Sequence, residues 1–175
     1  MSDRLTQFKW LIVLFLFLLA IPSYFAYNHF RQSSALKESF EKNERIEVLH
    51  RLTASEKYAS DIRKAGYAVP PDGAIRLDGG IDSIEIKGDI DLKISNPGRN
   101  EVTVLFETTV KEEKIDVYYI LDNQLTIKRS YYSNISNQKI KESVDISQAE
   151  EERLLKIVQK ELEAFMEKMY QTLYG

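Results

Sequence analysis

From Trp10 to Tyr27 the chain reads WLIVLFLFLLAIPSYFAY, eighteen residues without a charge directly behind a nine-residue, largely polar start. A helix rises about 1.5 Å per residue and needs roughly 17–25 apolar residues to cross a hydrocarbon core of about 30 Å. The run therefore predicts one transmembrane helix over residues 10–27, at the short end of that range. Trp10 marks one end and Tyr24 and Tyr27 the other, where amphipathic rings favour the headgroup layers. A cleaved signal peptide fits less well, because its apolar region usually spans about 7–15 residues and ends in a small-x-small site. Here the −3 position of each candidate site is bulky, Tyr24 in one case and Ile21 in the other. The expectation is an uncleaved, single-pass signal anchor in the cell membrane.

Orientation is nearly balanced by the cation count, with Arg4 and Lys9 before the run and Arg31, Lys37 and Lys42 after it. Lys9 abuts the apolar run, whereas Glu38 and Glu41 dilute the far side, which favours the start inside and the bulk of the chain extracytoplasmic. The chain has no cysteine, so disulfides, thiolate zinc sites and a cysteine nucleophile are excluded. Its net charge is −3; Asp3, Arg4 and Lys9 give residues 1–27 a charge of +1, which leaves −4 beyond them. Lys and Glu interleave throughout, and no basic stripe exists to hold a phosphate backbone, so nucleic acid is not an expected partner.

The sequence divides into a tail (1–9), the anchor (10–27), a helical neck (28–66) and a final stretch (67–175) that forms one domain with part of the neck. No Gly or Pro interrupts the chain between Pro22 and Gly66, and Ser34 is a helix-capping residue type. Leu36, Phe40, Leu49, Leu52, Ala59 and Ile62 recur at helical spacing with a phase break over 43–48, which reads as one helix or two with a weak second cap at Ser55. Val69-Pro70-Pro71-Asp72-Gly73 then forbids further helix.

From residue 81 to 132 the period changes to two. Ile84, Ile86, Ile90, Leu92 and Ile94 alternate with Glu85, Lys87, Asp89, Asp91 and Lys93, and Val102, Val104, Phe106, Val110, Ile115, Val117, Tyr119, Leu121, Leu125 and Ile127 continue the apolar face. Gly88, Asn96-Pro97-Gly98 and Asp122-Asn123 punctuate the stretch. Ser147-Gln-Ala-Glu150 matches a capping box ahead of the stripe Leu154, Val158, Leu162, Phe165, Met169 and Leu173, a helix of about seven turns whose apolar side covers the sheet. The predicted fold class is α+β: a single transmembrane helix, a helical neck and a four- or five-stranded antiparallel meander packed by a long C-terminal helix.

No catalytic signature stands out. Ser34-Ala-Leu-Lys37 fits S-x-x-K without the companion S-D-N and K-T-G elements. His29 and His50 lack a second ligand one helical turn away, and Asp72, Asp78, Asp82, Asp89 and Asp91 lack the order of a calcium loop. Asn134-Ile-Ser136 is a glycosylation sequon, meaningful only in a cell that glycosylates exported chains. The chain is thus read as a non-enzyme without metal or cofactor.

Interruptions in the polar parity of the sheet are more telling. Leu105, Tyr118, Ile120 and Tyr132 break its Thr, Lys and Glu residues, and grouped Tyr, Leu and Ile with a neighbouring cation, Lys128, often mark interfaces. The expected function is a membrane-anchored extracytoplasmic module that binds another protein, as an inhibitor, immunity-like protein or accessory subunit. A second expectation is structural: an apolar helix running into a stalk and a sheet is similar in layout to pilin-like subunits. Those carry a glycine just before the apolar stretch and a glutamate inside it, whereas this chain has no Gly before Gly66 and no acid in residues 10–27.

Overall fold

The computed structural model describes the backbone of residues 2–53, 56–69, 75–77, 83–87, 101–110, 112–134, 140–141 and 146–175, and the side chains of these except 2–17, 29, 56, 83–87, 110, 134, 140 and 141. The chain divides into two compact units, 1–41 and 42–175. The alternating residues Ile90, Leu92 and Ile94, the punctuation at 70–73, 88 and 96–98, the aspartates at 72, 78, 82, 89 and 91, and most of the sequon lie outside the described residues.

The first unit is one helix, α1 (Ser2–Glu41), forty residues long and so about 60 Å from end to end. Ser34, a candidate cap, lies inside it. Pro22 is also internal and cannot donate to the preceding turn. Beside it, the Ser23 hydroxyl donates to the Leu19 carbonyl at 2.8 Å, a local bond within the helix. A transmembrane helix over residues 10–27 is not supported by the described residues, among which no helix is long and apolar enough to cross a membrane. The first eight positions of the apolar run, 10–17, fall among the side chains not described. Those that follow are exposed: Leu18, Leu19, Ile21, Tyr24, Phe25, Tyr27 and Phe30 range from 51% to 71%. At about 100° per residue, these seven positions are distributed all round the helix.

The second unit starts where Asn43 adopts a left-handed backbone (φ 55°), a conformation Asn tolerates better than most residues. There follow α2 (Arg45–Thr53), a 3₁₀ turn (Glu56–Tyr58) and α3 (Ala59–Lys64). Gly66 closes α3 at φ 92°, with its N–H donating to the Arg63 carbonyl and the Tyr67 N–H to Ile62. The strands are β1 (Ile75–Leu77), β2 (Ser83–Lys87), β3 (Val102–Val110), β4 (Glu113–Leu121), β5 (Ile127–Asn134) and β6 (Ile140–Lys141). They form one antiparallel sheet in chain order, the expected meander with short outer strands added to the anticipated four or five.

The last element is α4 (Gln148–Tyr174). Ser147 caps it by accepting the Glu150 N–H at 3.3 Å. Only half of the predicted box forms in this way: the Glu150 carboxylate binds Arg153 through both oxygens, at 2.8 and 2.6 Å.

The core lies between the apolar side of the sheet and the helices. Ile115, Val117, Tyr119 and Leu121 alternate inward along β4 beside Val102, Val104 and Phe106, and Leu154, Val158, Leu162, Phe165 and Met169 form the buried stripe of α4. The Phe106 and Tyr119 rings meet edge to face at 5.3 Å, as do those of Tyr67 and Phe165 at 4.9 Å. Polar ties fix the docking. Tyr132 donates to Glu151 of α4 at 2.9 Å, and Gln159 to the Leu125 carbonyl at 2.8 Å. The Asn123 side chain accepts the Ile46 N–H at the start of α2 at 3.3 Å.

Two buried phenols make contrasting predictions. The Tyr119 hydroxyl has no hydrogen-bond partner among the described residues, and burial pushes its pKa upward. A buried hydroxyl without a partner costs free energy, so Tyr119→Phe should leave stability unchanged or raise it by up to about 1 kcal/mol. Tyr132→Phe removes a bond to a carboxylate and should cost about 1–2 kcal/mol. Urea unfolding of both variants checks the contrast, and equal losses would mean that Tyr119 has an acceptor.

Candidate interaction face

The other side of the sheet is given by the alternate residues of β3, β4 and β5. Strand register arranges it in rows running across the strands. Leu105 pairs with Tyr118 and Tyr118 with Tyr131, forming an apolar, aromatic middle row that continues to Glu85 on β2. On one side of it lies the row Thr103, Ile120, Arg129, and on the other Glu107, Asp116, Ser133. Leu105, Tyr118, Ile120 and Tyr131 are all half-buried.

Three of the five residues expected at an interface, Leu105, Tyr118 and Ile120, are therefore brought together. Tyr132 is not among them. It pairs with Val117, is 4% exposed and points to the core side. The cause is a β-bulge: Ile120 pairs with Arg129 but Leu121 with Ile127, so Lys128 is an extra residue in β5. An inserted residue exchanges the faces of everything beyond it, because side chains alternate with period two. Tyr131 and Arg129 thus occupy the side of the sheet that an uninterrupted count gives to Tyr132 and Lys128.

The bulge also builds the charged corner of this face. Lys128 and Arg129, consecutive in sequence, both reach the carboxylate of Glu101, Lys128 to one oxygen at 2.6 Å and Arg129 to the other at 2.9 Å. Glu101 is 2% exposed, whereas the cations are 52% and 42% exposed. The Lys128 hydrogen bond leads the effects that hold the Glu101 carboxyl below its usual pKa; burial opposes them. The main chain of Glu101 is anchored as well. His50 of α2 is buried, and its Nε2 contacts the Glu101 carbonyl, an atom that only accepts, so Nε2 carries the proton. Asp122 closes the turn before β5 by accepting from the Gln124 and Thr126 N–H groups and the Thr126 hydroxyl.

No protein family, curated protein or solved structure matches the chain. The reading of its function therefore rests on its own residues.

Among the described residues no group of three or more His, Asp or Glu side chains is placed to hold a metal ion. The buried His50 is committed to a backbone carbonyl. What the face offers is a strip of half-buried apolar area with net positive charge at the Glu101, Lys128 and Arg129 end and net negative charge at the Glu107, Asp116 and Lys114 end. Lys114 bridges to Glu107 at 2.9 Å. Arg129, Tyr131 and Glu101 escape a reading by parity; the only sequence signal for them is the dipeptide Lys128-Arg129, where two cations interrupt the alternation.

Proposed function

We infer that this chain is a membrane-anchored binding module. Residues 10–27 hold it in the bilayer, and the side of its sheet that carries Leu105, Tyr118, Ile120 and Tyr131 takes a protein partner on the extracytoplasmic side. The observation that carries the anchor is the set of apolar side chains exposed all round α1 between Leu18 and Phe30. A helix apolar on every side is suited to the interior of a large core or to lipid. It continues an uncharged sequence run, and Tyr24 and Tyr27 stand where the run ends. The docking part of the reading is supported by the half-buried row Leu105, Tyr118, Tyr131.

The anchor and its orientation are tested together. The chain has no cysteine, and Gln124 is exposed in the β4–β5 turn, so Gln124→Cys introduces a single thiol with little disturbance. The protein should stay in the membrane pellet at high pH, and the thiol should react in intact cells with a maleimide that does not cross membranes. Release into the supernatant overturns the anchor. Labelling only after lysis reverses the orientation.

A further inference from the structure

The exposed apolar surface of α1 continues one turn past Tyr27. Between Lys9 and Arg31 the chain has no Lys, Arg, Asp or Glu, and Phe30, at 71%, is the most exposed large apolar residue among those described. Tyr24, Phe25, Tyr27 and Phe30 place four aromatic side chains within seven residues, each more than half exposed. At about 100° per residue they stand at about 0°, 100°, 300° and 240° around the axis, so rings project on every side of the helix. The Tyr24 and Phe25 rings meet edge to face at 6.1 Å.

We propose that these four rings form a collar in the interfacial layer of the bilayer, so that the lipid contact of α1 ends at Phe30 and not at Tyr27. The proposal rests on the anchor inferred above and locates its second edge. A partner helix, or the same helix of a second copy, would cover one stripe and leave the opposite rings in water, whereas lipid surrounds a helix and suits rings on all sides. Side chains on a helix tilt towards its N-terminus, so the Phe30 ring covers the turn that carries Tyr27 and belongs to the same layer. The two tyrosines each join an apolar ring to a polar tip, the combination favoured at headgroups. Asn28 and His29 are polar residue types that are costly deep in a span and tolerated at its edge.

Length agrees with this edge. At about 1.5 Å per residue, Trp10 and Phe30 lie about 30 Å apart along a helix axis, the thickness of a hydrocarbon core, whereas Trp10 and Tyr27 lie about 26 Å apart. Arg31 sets the limit on the far side. It is exposed and is the first cation after the run, so deeper insertion would draw a charge into hydrocarbon, while at the edge its long side chain reaches the lipid phosphates. Movement the other way would lift the Phe30 ring into water.

The test uses the purified full-length chain in vesicles of phosphatidylcholine and phosphatidylglycerol, at a high ratio of lipid to protein. The chain has no cysteine, so Ile21→Cys, Phe30→Cys and Ser34→Cys, all at exposed positions, each carry a single nitroxide. Oxygen concentrates in lipid and a nickel chelate in water, so the collisions of each with the nitroxide report its surroundings. Oxygen collisions should exceed nickel collisions at Ile21 and Phe30, and the order should reverse at Ser34. Asn28→Cys, which leaves all four rings in place, should show the same oxygen excess as Phe30→Cys. A nickel excess at Phe30 or Asn28, with Ile21 still in oxygen excess, overturns the collar and leaves the anchor standing. A nickel excess at Ile21 as well overturns both. Shielding of Phe30 from both reagents means that a second copy of the helix covers the rings, and overturns lipid as their occupant.

Discussion

Phe165→Ala should lower the free energy of unfolding by about 3–5 kcal/mol, the range for truncating a buried aromatic ring. Phe165 has no exposed surface, lies centrally in the buried stripe of α4 and meets the Tyr67 ring edge to face. Lys168, one turn further on, reaches over the other participant, with its amine 5.3 Å from the Tyr67 centroid. Loss of the ring therefore leaves a cavity and unseats the segment that follows Gly66. Against a typical total of about 5–15 kcal/mol, a loss of this size removes a large share of the stability. Urea titration followed by tryptophan-independent circular dichroism gives the number. Glu163→Ala is the control: Glu163 is 53% exposed and pairs with Arg45 at 3.4 Å, so its removal should cost less than about 1 kcal/mol. A Phe165→Ala cost no greater than the control's would mean that α4 is not seated on the core.

The second large effect is an asymmetry around Glu101. Replacing both cations, Lys128→Met with Arg129→Met, strands a carboxylate that is 2% exposed, and a buried charge stripped of its partners costs about 3–5 kcal/mol. Removing the charge from the acid instead, by Glu101→Gln, releases two cations that already reach water, and should cost about 1–2 kcal/mol. The acid titration follows from the same geometry. Glu101 in the folded chain has a pKa below its unfolded value, held there first by the Lys128 hydrogen bond and then by the charges of Lys128 and Arg129. Its stabilisation is complete above the unfolded carboxyl pKa and disappears as pH falls through the lower folded value. Stability measured from pH 7 downward should therefore fall through the acid range in the parent chain. In Glu101→Gln the part of that fall due to Glu101 should vanish. An identical pH dependence in the two proteins would show that the pair does not form.

Much of this architecture is legible in the residues. The capping Ser147 and the spacing of Leu154, Val158, Leu162, Phe165 and Met169 announce α4, since a cap and a 3.6-residue period are local properties. Alternation along β3 and β4 gives the buried face correctly for Val102, Val104 and Phe106 and for Ile115, Val117, Tyr119 and Leu121. The candidate face is legible only in part, and the reason lies at one residue. Parity counting assumes an uninterrupted ladder, and Lys128 interrupts it by pairing with nothing across the strand. A bulge is a tertiary choice, here accompanied by the capture of a carboxylate from the start of β3, and Glu101 is too distant in sequence to reveal it. Ser34 fails for the opposite reason. Its capping propensity is real but weak, and a helix already running through it from Ser2 has no end there to cap.

The strand order has a consequence for how the protein is made. Each strand of β1–β6 pairs with its neighbour in the chain, so hairpins can close in turn as synthesis proceeds. Yet the helix that shields their apolar side is translated after all of them. Until α4 is made and docks, Val104, Phe106, Val117 and Tyr119 belong to a half-finished sandwich with one slice missing. That interval is when the nascent chain is most open to aggregation and to chaperones.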